Sequence, residues 1–249
     1  MKDFKNITLL LFAAVLLSFE AVGQITYGSI EYEIRTNIDK RFSSPSQQGN
    51  NGGRRVKPKK TEADYLLEKA VLYFNDTASI FITEDTESLK DQNRTFQTFT
   101  LVNFETNKIE TQINLLGEYF NIIDQQPLRE WRFTSKERQI AGKFAKQAIT
   151  KINDSTTIYA WFDTDFVPSI GPESYWDLPG AILGLAYEDG SVTYFATKIN
   201  DAYPDLKAIL PESKSRKTYT RIAFEKEFSN KYQPEDRFYN LVVDMLQFY

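Results

Sequence analysis

The chain has 249 residues, a formal net charge of −4, and neither Cys nor His. Without these two residue types it can have no disulfide, thiol nucleophile or imidazole base. The usual protein sites for zinc, copper, haem and iron–sulfur clusters also lose their ligands. The mildly acidic balance argues against general nucleic-acid binding. Any catalysis would have to use Asp, Glu, Lys, Tyr, Ser or Thr, and the sequence predicts no cofactor.

The first 23 residues have the pattern of a secretory signal peptide. Lys2 and Lys5 precede an apolar run over residues 7–19, and Ala21-Val22-Gly23 offers small residues before a cut at Gln24. The run is too short to span a membrane comfortably, and Glu20 interrupts it. We therefore expect an exported protein of the periplasm or outer cell envelope, with no transmembrane span in the mature chain.

Residues 24–249 are predicted to form a single β-rich domain. Alternating apolar and polar residues over 25–35 indicate a first strand. Further short strands follow without intervening helices, which favours an antiparallel sheet. The predicted strands cover residues 70–74, 78–83, 98–106, 110–115, 118–123, 131–134, 139–140, 144–150 and 157–163.

Four other segments break this strand pattern. Residues 42–61 predict a flexible basic loop, which is either simply solvated or a contact for anionic lipid, polysaccharide or a partner. Residues 62–69 predict a short helical lead-in, and residues 219–232 and 237–248 predict helices with an apolar stripe. The predicted fold is mainly β: a curved antiparallel sheet or half-barrel with one or two C-terminal helices packed on it.

The stretch 171–199 contains the clearest turn signals. Pro179-Gly180 predicts a type II turn, since Pro fixes φ and Gly accepts a positive φ. A strand over 181–187 follows, and Asp189-Gly190 predicts a hairpin to a strand over 192–199. We interpret Pro179, Gly180, Asp189 and Gly190 as structural turn residues.

Several segments together resemble a known family. Leu178-Pro179-Gly180 followed by Ile182-Leu183 resembles the signature of the GLPGLI family of exported Bacteroidetes proteins of unknown function. Other segments resemble family motifs in the same order: Trp131 with Ile140-Ala141-Gly142-Lys143-Phe144, Tyr159-Ala160-Trp161-Phe162, Pro168-Ser169 and Gly171-Pro172. The resemblance implies a cell-envelope location and a β-rich domain, but no mechanism. Asp177 and Ala181 depart from the signature, and Phe144-Ala145 replaces a segment that often carries Tyr and Cys.

Two groups of residues are candidate functional sites. Asp163 and Asp165, spaced i, i+2 at a strand end, are predicted to lie on one side of an extended chain, where they could hold Ca²⁺ or share acid–base work. Glu173 and Asp177 flank Trp176, an arrangement also found in sugar-binding sites. Large aromatic residues beside a rigid turn could instead contact a ligand or partner. The residues we assign to ligand or partner binding are Trp161, Tyr175, Trp176 and Asp177.

Two functions from different classes remain open. The first is a non-catalytic envelope protein that binds an apolar ligand or a partner protein, such as part of an outer-membrane transport system. The second is a hydrolase that uses Asp163, Asp165, Glu173 or Asp177. The simpler interpretation of each candidate is a solvated surface acid or a packed core aromatic. No catalytic or metal-binding residue is assigned.

Overall fold

A computed structural model describes residues 23–37, 65–84, 96–115, 117–153, 156–215 and 217–231. The described part is mostly β, with one twelve-stranded sheet and two helices near its C-terminal end. The strands are β1 (Gly28–Asn37), β2 (Tyr65–Phe74), β3 (Ala78–Thr83), β4 (Phe96–Asn103), β5 (Lys108–Leu115), β6 (Glu118–Gln125), β7 (Arg132–Ile140), β8 (Lys143–Asn153), β9 (Thr156–Asp163), β10 (Ala181–Tyr187), β11 (Val192–Asn200) and β12 (Thr218–Tyr219). The helices are α1 (Leu206–Ile209) and α2 (Arg221–Lys231).

The sheet is built from two antiparallel meanders. Its order is β12-β6-β5-β4-β3-β2-β1-β11-β10-β9-β8-β7. Strands β1 to β6 form one meander and β7 to β11 the other, and the pairing of β1 with β11 joins them. Among the described strands, only the two-residue strand β12 is parallel to its neighbour, β6. The sheet is open, with β7 at one edge and β12 at the other.

The β7–β11 meander folds back over one of its own faces. A side-chain Cβ at Gly184 on β10 would lie 2.8 Å from the Cδ1 of Ile140, at the end of β7, and 2.8 Å from the Phe195 ring on β11. Gly184 therefore leaves the space that lets Ile140 lie across the sheet. This close approach, together with a register irregularity between Ile182 and Gly184, accounts for the predicted curvature.

The main core lies on the other face of the sheet and is filled by large side chains. Tyr32, Phe74, Phe81 and Tyr175 are each at most 1% exposed. The Tyr32 hydroxyl donates to the main-chain oxygen of Ile182 at 2.6 Å, which ties β1 to β10, and burial raises the pKa of Tyr32. Phe166 on the long connection after β9 packs against Phe74, so this connection covers part of the core.

The helix predicted over 219–232 is confirmed as α2. Phe224 and Phe228 are buried, and the Phe224 ring lies 5.0 Å from the Phe120 ring on β6. Ile222, two residues before Phe224 on the same helix, is 72% exposed and does not belong to this buried face. No described helix is long and apolar enough to cross a membrane. The signal peptide, the basic loop at 42–61 and the helix at 237–248 lie outside the described residues.

Two local predictions were wrong. Residues 65–69 belong to strand β2 and are not a helical lead-in, because they pair with residues 33–37 of β1. The segments 131–134 and 139–140 are parts of one strand, β7, with a register irregularity between Phe133 and Glu137. Almost every β7 side chain is exposed, so no apolar alternation marked its middle.

The predicted hairpin at Asp189-Gly190 forms, and the chain bends at Pro179-Gly180 with a positive φ at the glycine. Gly180 has φ 117° and lies against the main chain of Asp163, where any Cβ would overlap the carbonyl oxygen. Gly190 has φ 69°, and its N–H donates to the Tyr187 oxygen at 2.8 Å, closing the β10–β11 hairpin. Both glycines therefore have conformations that other residues rarely adopt.

Candidate functional site

A polar clasp joins the connection between the two meanders to the loop before β10. We define the clasp as residues 127–131 together with residues 173–177. Arg129 donates from Nη1 to the Ser174 main-chain oxygen at 2.7 Å and from Nη2 to the Ser174 Oγ at 3.0 Å. Its guanidinium carbon lies 4.5 Å from the centroid of the Tyr175 ring. Desolvation by burial lowers the pKa of Arg129.

Two indole N–H groups donate hydrogen bonds across the clasp, one from each of its two segments. Trp131 Nε1 donates to the main-chain oxygen of Trp176 at 2.9 Å, and Trp176 Nε1 donates to the main-chain oxygen of Pro127 at 2.7 Å. Both tryptophans are half-buried. The polar group of Trp176, a predicted binding residue, is thus already engaged within the protein.

The other predicted residues of this loop differ in their accessibility. Tyr175 is 1% exposed, and its hydroxyl lies 3.1 Å from that of Tyr187. Glu173 accepts a hydrogen bond from the Tyr194 hydroxyl at 2.5 Å. Asp177 is exposed and has φ 70°, with its N–H bound to Ser169 Oγ at 2.8 Å. Asp177 is therefore the one predicted binding residue of this loop with an open side chain.

The Asp163–Asp165 pair does not form an open acid pair. Asp163 is 5% exposed, and its Oδ1 accepts from the Asp165 N–H at 3.1 Å. Its Oδ2 has no hydrogen-bond partner among the described residues. Burial is the main cause that raises the pKa of Asp163, and the Asp165 charge adds to it. The Asp165 carboxylate pairs with Lys143 Nζ at 2.9 Å.

Trp161 lies on the face of the sheet that Ile140 crosses. Its ring is 5.7 Å from the Phe195 ring. The Arg138 guanidinium carbon stands 4.4 Å from the Phe195 centroid and 5.6 Å from the Trp161 centroid. Trp161 is half-buried, so an edge of this cation–aromatic cluster is accessible.

A wide groove opens on the same face near the free edge of the sheet. Its volume is about 570 Å³. Arg132, Ile149 and Tyr159 lie side by side in the register of β7, β8 and β9. The remaining lining residues are Glu130, Thr150, Lys151, Thr157 and Glu188. The groove is thus a mixed surface with an apolar floor and charged ends, unlike a dry lipid cavity.

Hydrogen bonds fix one acidic end of this groove. The Tyr159 hydroxyl donates to Glu188 Oε1 at 3.0 Å. Bonds from Thr157 and Tyr159 lower the pKa of Glu188, and the same contact with Glu188 raises the pKa of Tyr159. Glu188 is therefore held as a charged acceptor for residues of its own chain.

The structure separates the predicted residues into three places. Tyr175, Trp176 and Asp177 belong to the clasp, Asp163 and Asp165 to the end of β9, and Trp161 to the cluster beside the groove. Within the described residues no group of three acidic side chains is close enough to hold a metal ion. The sequence interpretation missed Arg129, Arg132 and Lys151, although an excess of basic residues over 130–151 marks the last two.

One family model matches residues 56–184, which is about half of the chain. The chain belongs to the Porph_ging family. That family is described as proteins of unknown function. The Porph_ging segment contains the clasp, both acidic pairs and every groove residue except Glu188. No curated protein matches the chain.

Solved structures with a similar fold include PNGF-II in two crystal forms. In the C2 form the identity is 16% and the TM-score 0.53, over 80% of this chain and 32% of that one. In the P2₁ form the values are 17% and 0.51, over 81% and 32%. This chain thus spans about a third of PNGF-II, and the likeness concerns the fold alone. An uncharacterised conserved protein from Thermus thermophilus is 9% identical with a TM-score of 0.41, over 84% of this chain and 98% of that one.

Proposed function

We propose that this Porph_ging protein is a non-catalytic exported binding protein that holds a segment of an envelope partner protein in the groove of β7, β8 and β9. The observation that carries the proposal is the groove itself. It is open, its volume is about 570 Å³, and it lies beside the unpaired edge of the sheet. Binding of this kind would suit a role of this protein as an accessory to an outer-membrane transport system.

A partner segment fits the described structure better than an apolar ligand does. The main core is filled by Tyr and Phe side chains, and the cavity beneath α2 has a volume of about 40 Å³. That volume accommodates only a few water molecules and no acyl chain. The groove combines an apolar floor with charged ends, a composition typical of surfaces that bind protein segments.

The hydrolase alternative has less support from the same side chains. Of its candidate acids, Asp165 is paired with Lys143 and Glu173 accepts from Tyr194. Asp163 is buried, which leaves Asp177 as the accessible acid. A paired acid and base that both reach one substrate bond are therefore missing from the described candidates.

The test is site-specific photo-crosslinking in the cell envelope. A photoreactive phenylalanine analogue at Tyr159 should form an adduct with one protein, and the adduct should map to one segment of it. The same analogue at Ile222, exposed on α2, supplies the control and should give no such adduct. A synthetic copy of the mapped segment should compete for the adduct at Tyr159. Lipid adducts alone, or equal protein adducts at both positions, would overturn the proposal.

We further infer that the GLPGLI signature and the Porph_ging model describe the same group of exported Bacteroidetes proteins. The signature residues Leu178-Pro179-Gly180 lie inside the matched range 56–184, which supports this inference. Export of the chain predicts a mature N-terminus at Gln24. N-terminal sequencing of the envelope fraction should find that residue, and an intact Met1 there would contradict cleavage.

A further inference from the structure

We infer that the partner segment bound in the groove is acidic and extended, and that Arg132 and Lys151 are the residues that select it. This inference rests on the proposed function, because it names the chemistry of the partner at the same groove. It goes further by assigning the selectivity to two cations that the sequence interpretation did not single out.

The first observation is the charge of the β7–β8 hairpin. Between residues 130 and 151 there are six Lys or Arg against two Glu, a stretch of net +4 in a chain of net −4. Nearly all of its charged side chains are exposed. A concentrated positive region in an otherwise acidic protein attracts segments of opposite charge.

The second observation is that neither Arg132 nor Lys151 is held in a close ion pair within the described residues. Lys143 pairs with Asp165, and Arg138 stands over two rings. Among the described residues no carboxylate forms an ion pair with Arg132 or Lys151. Of the two acids in the groove lining, Glu130 and Glu188, Glu188 accepts hydrogen bonds from Thr157 and Tyr159. The charge of Lys151 also lowers the pKa of Glu188. The groove therefore presents two cations without a close ion pair beside Ile149 and Tyr159, together with the carboxylates of Glu130 and Glu188.

The third observation favours a peptide over a flat anionic surface. The cations line a concave groove, and its wall at one side is the edge strand β7, which pairs with β8 alone in the described sheet. A bilayer surface cannot follow a concave wall. An extended chain can lie along such an edge with alternate side chains directed to the groove. Acidic side chains alternating with small apolar ones match Arg132 and Lys151 around Ile149 and Tyr159.

The experiment measures fluorescence anisotropy of a labelled synthetic peptide of about twelve residues that alternates Glu with Val and Thr. Its counterparts carry Gln or Lys in place of Glu. The purified full mature chain should bind the Glu peptide about tenfold more tightly than the Gln peptide. The affinity should fall between about 50 mM and about 500 mM NaCl, because the charges are solvent-exposed.

The matched variants separate a specific site from general charge. Arg132→Glu with Lys151→Glu should abolish the preference for the Glu peptide. Lys207→Glu with Lys226→Glu makes the same change of net charge at exposed positions on α1 and α2, and should leave the preference intact. Equal losses in both double variants, or no preference for Glu over Gln in the wild type, would overturn the inference.

A parallel arm uses vesicles that contain phosphatidylglycerol. Vesicle binding that depends on Arg132 and Lys151, together with no peptide preference, would assign the surface to lipid and overturn the inference. Crosslinking at Tyr159 to a segment without acidic residues would overturn it as well, but would leave the proposed partner-binding function standing. The experiments can therefore contradict the acidic-segment inference without contradicting the proposed partner-binding function.

Discussion

Gly180 is the residue on which the corner before β10 depends. Its φ of 117° disfavours any side chain, and a Cβ there would overlap the carbonyl oxygen of Asp163. Strain and overlap act together, so we expect Gly180→Val to lower the free energy of unfolding by on the order of 3 kcal/mol or more. Urea denaturation of the purified variant, or its folded yield, measures this loss.

Gly142 provides the control for Gly180. It has φ 82°, but a Cβ there would meet nothing within 4 Å. Gly142→Val should therefore lower the free energy of unfolding only by the cost of backbone strain, about 1–3 kcal/mol. If the two variants were equally stable, close contact with Asp163 would not be what constrains the corner.

Asp163 predicts a pH dependence of stability. Burial raises its pKa in the folded chain, so the folded state binds a proton more tightly than the unfolded state does. Stability is therefore lost as the pH rises from the ordinary pKa of Asp through the raised folded pKa, and stays lost above it. Asp163→Asn cannot ionise and should escape this loss.

Urea denaturation from about pH 3 to about pH 7 tests this expectation. The unfolding free energy of Asp163→Asn minus that of the wild type should increase across the range and then level off. Any pH-independent cost of the new side-chain amide cancels when the difference is compared across pH. The amide NH₂ would take the place of Oδ2, which has no hydrogen-bond partner among the described residues. A difference that does not change with pH would show that the Asp163 carboxyl is not desolvated.

Among the structural elements, the clasp connects the two meanders outside the sheet. Trp131→Phe and Trp176→Phe each remove one indole hydrogen bond to a main-chain oxygen. Each should cost about 1 kcal/mol more than Trp161→Phe, because the Trp161 indole nitrogen makes no hydrogen bond among the described residues. Chemical denaturation of the three purified variants provides the comparison, and equal costs would mean that the clasp bonds add nothing.

The sequence predicts strands correctly where one face of the strand is buried. The strand over residues 78–83 was predicted to the residue, because Ile80 and Phe81 are buried between fixed turns. Residues 65–69 were missed because Leu, Glu and Lys favour helices locally, and only their pairing with β1 makes them a strand. The same limit applies to the clasp, since no local pattern indicates that Arg129 will meet Ser174 across 45 positions.

The candidate site could be predicted only in part. Trp161 was chosen for its aromatic ring and does lie beside the groove, and its binding role stays a prediction. The alternating strand pattern could not reveal the groove, because the groove depends on Arg132, Ile149 and Tyr159 meeting across three strands. Residues that meet through register between strands far apart in sequence are invisible to a reading of local periodicity.

For the whole molecule, the continuous sheet predicts one cooperative unfolding transition. All three Trp residues, at 131, 161 and 176, belong to the second half of the chain, whereas strands from both meanders contribute to the far-ultraviolet circular dichroism. Because β1 pairs with both β2 and β11, the two signals should have the same midpoint in urea. Tyr32→Phe, which loses the hydrogen bond to Ile182, should shift both midpoints together. A fluorescence midpoint clearly separated from the circular dichroism midpoint would contradict this coupling.

The pairing of β1 with β11 also sets the order in which the chain can fold. Ser29 on β1 lies opposite Asn200 on β11, whereas its other neighbour, Tyr73 on β2, is much closer in sequence. Contacts of such high sequence separation form late, because the loop entropy must be lost before they form. A ribosome adding about 5–20 residues per second leaves one edge of β1 without its partner for roughly 10–30 s after β1 itself is made. Until β11 is available, the chain displays a β1 edge that can pair with other strands.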